Sequence, residues 1–173
     1  MLRVDEPDRL VESPRAAVRT AVPPSSRAQR KRAPDMNVFV FQSGFDRADL
    51  QWAIRPGIRD TWYATRHQQA MRPRDIVFFG MARIELALYG WGRIVSAPYL
   101  RSDWDAHGVD VTYEVKFSSP ILATSLRNDP TLAGMLIFRA PRASNFLLLP
   151  DQARRLVRFV KDSGEVVPAE VAL

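Results

Sequence analysis

From Val109 to Phe117 the chain alternates without a break. Val109, Val111, Tyr113, Val115 and Phe117 are apolar, while Asp110, Thr112, Glu114 and Lys116 lie between them. A strict period of two fits a β-strand with one face in a core and one toward water, and fits no helix. The fold must therefore be built on a sheet. Two further runs, Val38-Phe39-Val40-Phe41 and Ile76-Val77-Phe78-Phe79, are apolar at every position. Such runs suit strands covered on both faces. The second follows the turn residues Arg72-Pro73-Arg74-Asp75. In the stretch from Ile84 to Val95, Ile84, Leu86 and Leu88 fall on one face, with Tyr89 and Trp91 side by side on the other. Gly90 and Gly92 flank that tryptophan and mark a bulge or a close approach by another group. Met135 to Phe138 is expected to add a further strand.

Helices are fewer. Pro150-Asp151-Gln152 opens one with an N-terminal proline and an acidic first turn. Ala153, Leu156, Val157 and Val160 form its buried stripe, and Gly164 lies just past its end. Arg154, Arg158 and Lys161 share the opposite face, which is either solvated or available to phosphates. Shorter helical stretches are expected over 46–52, 59–71 and 122–128. Strands outnumber helices and no βαβ repeat appears, so the class is α+β with a curled mixed sheet.

Residues 1–36 read differently. They hold five prolines, at 7, 14, 23, 24 and 34, and no aromatic residue. Such a segment buries too little surface to offset its ordering entropy, and it is expected to be a disordered arm. Its basic cluster, Arg27, Arg30, Lys31 and Arg32, suits either a nucleic-acid arm or a solvated linker. Met36 stands directly before the first strand, so a translation start there would leave the arm outside the protein. The division expected is an arm over 1–36, one domain over 37–164 and a C-terminal tail over 165–173.

The 173 residues leave room for one domain of ordinary size, and 46% hydrophobic residues exclude a wholly disordered chain. No apolar run approaches the roughly 18 residues that span a bilayer as a helix. Neither that nor a secretory signal is found, which points to the cytoplasm. The absence of cysteine excludes disulfides, thiolate metal sites and a cysteine nucleophile. The formal net charge is +6, carried by 25 Lys and Arg against 19 Asp and Glu, and only Lys31, Lys116 and Lys161 are lysines. A GC-rich genome accounts for arginine enrichment, yet arginine forks favour a polyanionic partner whatever their origin.

The search for catalysis returns little. Phosphate-binding glycine loops and a nucleophile elbow are both missing. His67 and His107 lie far apart, in no metal-ligand spacing. Asp103 and Asp105 bracket Trp104 in what reads as a solvated turn, and the row Thr112, Glu114, Lys116 is what alternation alone produces. The sequence calls for no enzyme, cofactor or metal. It does carry aromatic residues beside polar ones: Phe41, Trp52, Trp62, Tyr63, Trp91 and Trp104 near Gln42, Ser43, Arg66 and Asn145. An aromatic slot with a few hydrogen-bonding groups is what an extruded nucleobase needs. Core packing is the other reading of the same tryptophans.

The order of five segments resembles the EVE domain family, a PUA-like branch related to the YTH and ASCH domains. They are Phe39-Val40-Phe41 with Gln42-Ser43-Gly44; Trp62-Tyr63-Ala64-Thr65-Arg66; Met71 through Phe79; Leu88 through Ile94 with Pro98; and Phe138 through Pro141 with Ser144-Asn145-Phe146 and the helix from Pro150. The resemblance covers about 37–161. One departure is Arg74, which stands where the family has the glycine of a glycine–aspartate turn.

The resemblance implies a small curled mixed β-barrel flanked by short helices. It further implies a non-catalytic module that flips one modified base, most often a modified cytosine in DNA, into an aromatic pocket. Carried over, Phe41, Gln42 and Ser43 would line one wall, and Trp62 would be the stacking plate with Tyr63 and Arg66 nearby. Tyr89 and Trp91 would offer a second aromatic surface, and Asn145 an amide that reads the base edge. Arg154, Arg158 and Lys161 are the candidates for phosphate contact. Bacterial relatives imply a link to modification-dependent restriction, with a separate nuclease or effector protein as partner. An RNA reader like the PUA and YTH domains is an alternative, and so is an ASCH-like nucleoside hydrolase with Lys116 as its base.

Overall fold

A computed structural model describes residues 36–43, 50–82, 86–140 and 142–171. Except for Met36, the arm expected over 1–36 lies outside them, as does Ile84. The elements run β1 (Val38–Ser43), α1 (Leu50–Ala53), β2 (Arg59–Tyr63), β3 (Ile76–Ala82), β4 (Leu86–Ile94), β5 (Tyr99–Arg101), β6 (Ala106–Leu122), α2 (Ala123–Arg127), β7 (Asn145–Leu147) and α3 (Pro150–Asp162). Short 3-10 turns occupy Gln68–Ala70 and Leu136–Phe138. The strands form one sheet in the order β2-β6-β4-β3-β1-β7, with β5 on β6. β1 and β3 are parallel and the other pairs antiparallel. The class is α+β, with the mixed sheet curled into a half-barrel.

Each face of the sheet carries its own core, which is why β1 and β3 are apolar throughout. Phe39, Phe41, Val77 and Phe79 point inward to a cluster with Leu50, Ile54, Trp62, Met71, Ile94, Val109, Val111 and Tyr113. Val38, Val40, Ile76 and Phe78 point outward to one that includes Ala153, Leu156, Val157 and Val160 of α3. The stripe expected on that helix is the one buried, and Gly164 follows it at φ +85°.

The alternation of β6, expected to put one face in the core, is broken at Glu114, and its two halves serve different cores. Val109, Val111 and Tyr113 face the inner cluster, while Val115, Phe117 and Ile121 pack in the outer one. Residues an even number apart reach opposite faces only through a bulge. The pairing with β4 shows it: Trp91 stands opposite Val115 but Gly92 opposite Tyr113, leaving Glu114 as the extra residue. A second shift falls between Leu88 and Gly90. Against β3, Phe79 pairs with Gly90 and Gly80 with Leu88, so Tyr89 is an extra residue of β4; this bulge separates Tyr89 and Trp91, which alternation had placed side by side. Tyr89 packs on the inner cluster, whereas Trp91 joins the outer one and donates its indole N–H to Val166 O at 2.8 Å.

Other expectations are corrected. Of 59–71, expected as helix, Arg59–Tyr63 is strand β2, paired with Thr112 to Gly108 of β6. Thr61, Trp62 and Tyr63 suit a pleat, and pairing with β6 overrides local helix preference. Met135–Phe138 is no strand. The N–H groups of Phe138 and Arg139 bond to Met135 O and Leu136 O, so this apolar run is a 3-10 turn that buries Met135 and Ile137 and leaves Leu136 exposed. The tail lies along the outer core. Val167 and Val171 pack there, Glu165 accepts the Ser118 N–H at 2.8 Å, and Glu170 accepts two bonds of 2.8 Å from Arg93. Among the described residues no helix is long and apolar enough to cross a membrane.

The turn before β3 is pinned by Asp75, which accepts the N–H groups of Arg72 at 2.9 Å and Asn37 at 3.0 Å. Burial pushes its carboxyl above the ordinary value, and these donors oppose the rise. Arg74 keeps the turn with φ +82°, its N–H on Ile94 O at 2.8 Å. An L side chain in that region costs about 1–2 kcal/mol. Arg74→Gly removes the strain but adds unfolded-state freedom. Urea titration is expected to show a net gain of about 0.5–1 kcal/mol.

Candidate functional site

β1 and β7 meet at the site. Phe41 pairs with Asn145, and the Gln42 N–H donates to Ser144 O at 2.8 Å. Gln42 and Ser43 are both buried. Asn145 is completely buried, and both ends of its amide are engaged by the chain. Its Oδ1 accepts the Thr65 N–H at 2.9 Å, and its Nδ2 donates to Tyr63 O at 2.9 Å. Thr65 Oγ1 and Ser144 Oγ add a contact at 2.7 Å. One amide thus fastens residues 63–66 across the end of β1 and β7. Asn145 holds the wall of the site, and its amide is occupied by backbone where the resemblance implied a base edge.

The pleat of β2 sends neighbours in opposite directions. Trp62 points inward, 5.2 Å from the ring of Phe79 and 6.1 Å from that of Phe41, and is 4% exposed. Its indole N–H donates to Tyr113 Oη at 3.0 Å, which donates to Asp60 Oδ2 at 2.6 Å. This chain fixes the rotamer of the indole. Tyr63 points outward, is 48% exposed, and lies against Trp104.

The structure therefore gathers Phe41, Trp62 and Tyr89 at the inner cluster, with Gln42, Ser43 and Asn145 at its end. Arg66 is exposed beside them. Tyr63 is on the outer face of β2, and Trp91 is in the other core. Arg154, Arg158 and Lys161 are exposed on α3, across the sheet from the inner cluster, and Arg154 pairs with Asp151. Lys116 lies over the ring of Trp52 at 5.9 Å. The contributions of Tyr113, Phe79, Thr65 and Ser144 were not anticipated. Thr65 and Ser144 each sit next to a named site residue, which was the available signal.

Behind Tyr63, Asp110 organises the outer face of β2 and β6. It accepts bonds from Arg59 at 2.5 Å, Thr61 at 2.7 Å and Tyr99 at 2.8 Å. Burial works against its charged form, but these three donors outweigh it and hold the carboxyl below the ordinary value. A carboxyl lowered on folding contributes stability above its unfolded value, about 3.9, and loses it as pH falls through the folded value. Asp129 is shifted the same way against burial by Arg155 and two backbone N–H groups, whereas the raised Asp75 acts in the opposite sense. Thermal melts of Asp110→Asn are expected to lie below those of the wild type at neutral pH and to fall less between pH about 5 and 2.

The EVE domain family model matches residues 37–159. The chain belongs to the EVE domain family. None of the curated proteins matches it in sequence. Among solved structures, a Leishmania major protein is similar with a TM-score of 0.60 at 17% identity, over 77% of this chain and 99% of the other. A protein from Rhodopseudomonas palustris, solved by NMR, gives 0.58 at 17%, covering 69% and 90%. Human THYN1, crystallised with DNA containing 5-methylcytosine, gives 0.55 at 17%, covering 76% and 99%. At these identities the likeness is one of fold. In this EVE domain Arg74, where the resemblance placed a glycine, has φ +82°, in the left-handed region that glycine favours.

Proposed function

We propose that this EVE domain is a non-catalytic reader of a modified base in DNA, a modified cytosine, taken out of the helix into a slot beside Phe41, Trp62 and Tyr89. The observation that carries this reading is the inner aromatic group at the end of β1, framed by a strap that Asn145 fastens. The 5-methylcytosine DNA bound by human THYN1, on a similar fold, supports it. Extrusion costs a few kcal/mol, which stacking and edge hydrogen bonds must offset. Arg66, exposed on the strap beside Asn145, takes the phosphate role in this reading; the α3 cations lie across the sheet. A role as sensor in modification-dependent restriction follows from the same reading, with cleavage left to a separate effector protein.

The test is a fluorescence titration at fixed salt against matched oligonucleotides. They carry cytosine, 5-methyl-, 5-hydroxymethyl- or N4-methylcytosine, or N6-methyladenine, as DNA and as RNA. One methyl group in an apolar slot is worth about 1–3 kcal/mol, so the preferred base should win by ~10- to 200-fold. Affinity for every oligonucleotide should fall as salt rises. Equal affinity across the panel would overturn base reading, and preference for a modified RNA would move the reading to that partner.

A further inference from the structure

The outer face of β2, β5 and β6 carries a column of planar groups. Arg101 Cζ lies 4.0 Å from the ring centroid of Trp104, and the ring of Tyr63 lies 4.3 Å from it, tilted by 33°. Two planar groups so close to one ring cannot share a face, so Trp104 is sandwiched between them. The guanidinium end is closed. Its fork is paired with Asp103, and its stem crosses Gly108, where a Cβ would stand 3.0 Å from Arg101 Cδ. Tyr63 ends the column at the other side, with one ring face on Trp104 and 48% of the residue exposed.

We propose that the open face of Tyr63 stacks the nucleobase that neighbours the extruded one. The inference rests on the base-reading function and adds a second, sequence-tolerant contact to it. Three observations favour a nucleobase as occupant. The exposed group is a flat aromatic ring already braced from behind, and stacking needs no reordering of the protein. The cations of this face, Arg59 and Arg101, are paired with Asp110 and Asp103, so the column offers a ring and no net charge for a phosphate. Tyr63 also belongs to the strap beside the slot: its carbonyl is held by Asn145, its neighbour Trp62 points inward, and Arg66 is exposed three residues on.

The experiment measures binding of short single-stranded DNA with one modified cytosine, and of the same strand with an abasic residue on either side of it. Wild type, Tyr63→Ala, Tyr63→Phe and Trp104→Ala are compared, with circular dichroism as the check on folding. Tyr63→Ala is expected to lower affinity ~5- to 150-fold for modified and unmodified strands alike, while Tyr63→Phe binds nearly as the wild type. Trp104→Ala should weaken binding in the same direction. An abasic residue on one side should weaken wild-type binding by a similar factor and leave Tyr63→Ala unchanged. The abasic arm with wild-type protein does not depend on any variant folding. If Tyr63→Ala binds within about twofold of the wild type and still prefers the modified base, stacking is overturned and base reading stands. If the wild type shows no preference, base reading fails and takes this inference with it.

Discussion

Trp62→Ala should lower stability by about 3–5 kcal/mol, the usual cost of emptying a buried aromatic site. The indole is 4% exposed and packs on Phe41 and Phe79. Its removal also takes away the N–H that donates to Tyr113 Oη. In a domain of this size the melting temperature should drop by roughly 6–20 °C, since each kcal/mol is worth about 2–4 °C. A functional loss in Trp62→Ala would therefore be ambiguous alone. Trp62→Phe separates the two roles: it keeps a ring in the slot and gives up the hydrogen bond, at about 1–2 kcal/mol. On the proposed reading it remains folded yet prefers the modified base less strongly, because a smaller ring stacks less surface. A Trp62→Phe protein with wild-type preference would assign the indole to the core alone.

How much of this was legible in the sequence depended on whether a feature was local. Continuous apolar runs announced β1 and β3 because a strand covered on both faces has no polar positions. The stripe of α3 was legible because helix periodicity and end signals agree there. The site was legible only in part. Alternation says that Trp62 and Tyr63 part company once β2 is known to be a strand, but its pairing with β6 is long-range and local preference suggested helix. Tyr89 and Trp91 obey alternation in sequence and break it in space, because the bulge at Tyr89 is set by the register of β4 with β3. Asn145 was named as a binding residue, whereas the partners that occupy its amide lie some eighty positions away and carry no local signal.

Gly92→Ala is expected to be strongly damaging, as is Gly90→Ala, whose Cβ would stand 2.2 Å from Val115 O. A Cβ at Gly92 would stand 2.1 Å from Thr112 O, and the nearest tolerable carbon–oxygen contact is about 3.3 Å. The obstacle is a backbone carbonyl in the ladder between β4 and β6, so no side chain can turn aside. The two strands must separate by roughly 1 Å, at the register shift where the sheet passes from one core to the other. The expected loss is more than about 3 kcal/mol, or failure to accumulate as folded protein. Gly57→Ala is the control. Gly57 has φ +84° and no atom within 4 Å of its Cβ position, so only backbone strain of about 1–2 kcal/mol applies. Urea titrations of the two variants should therefore differ clearly, with Gly92→Ala the weaker. If Gly92→Ala instead matched the wild type, the close approach of β4 to β6 would be wrong. The bulge at Glu114, which sends Tyr113 and Val115 to different cores, would then have to be redrawn.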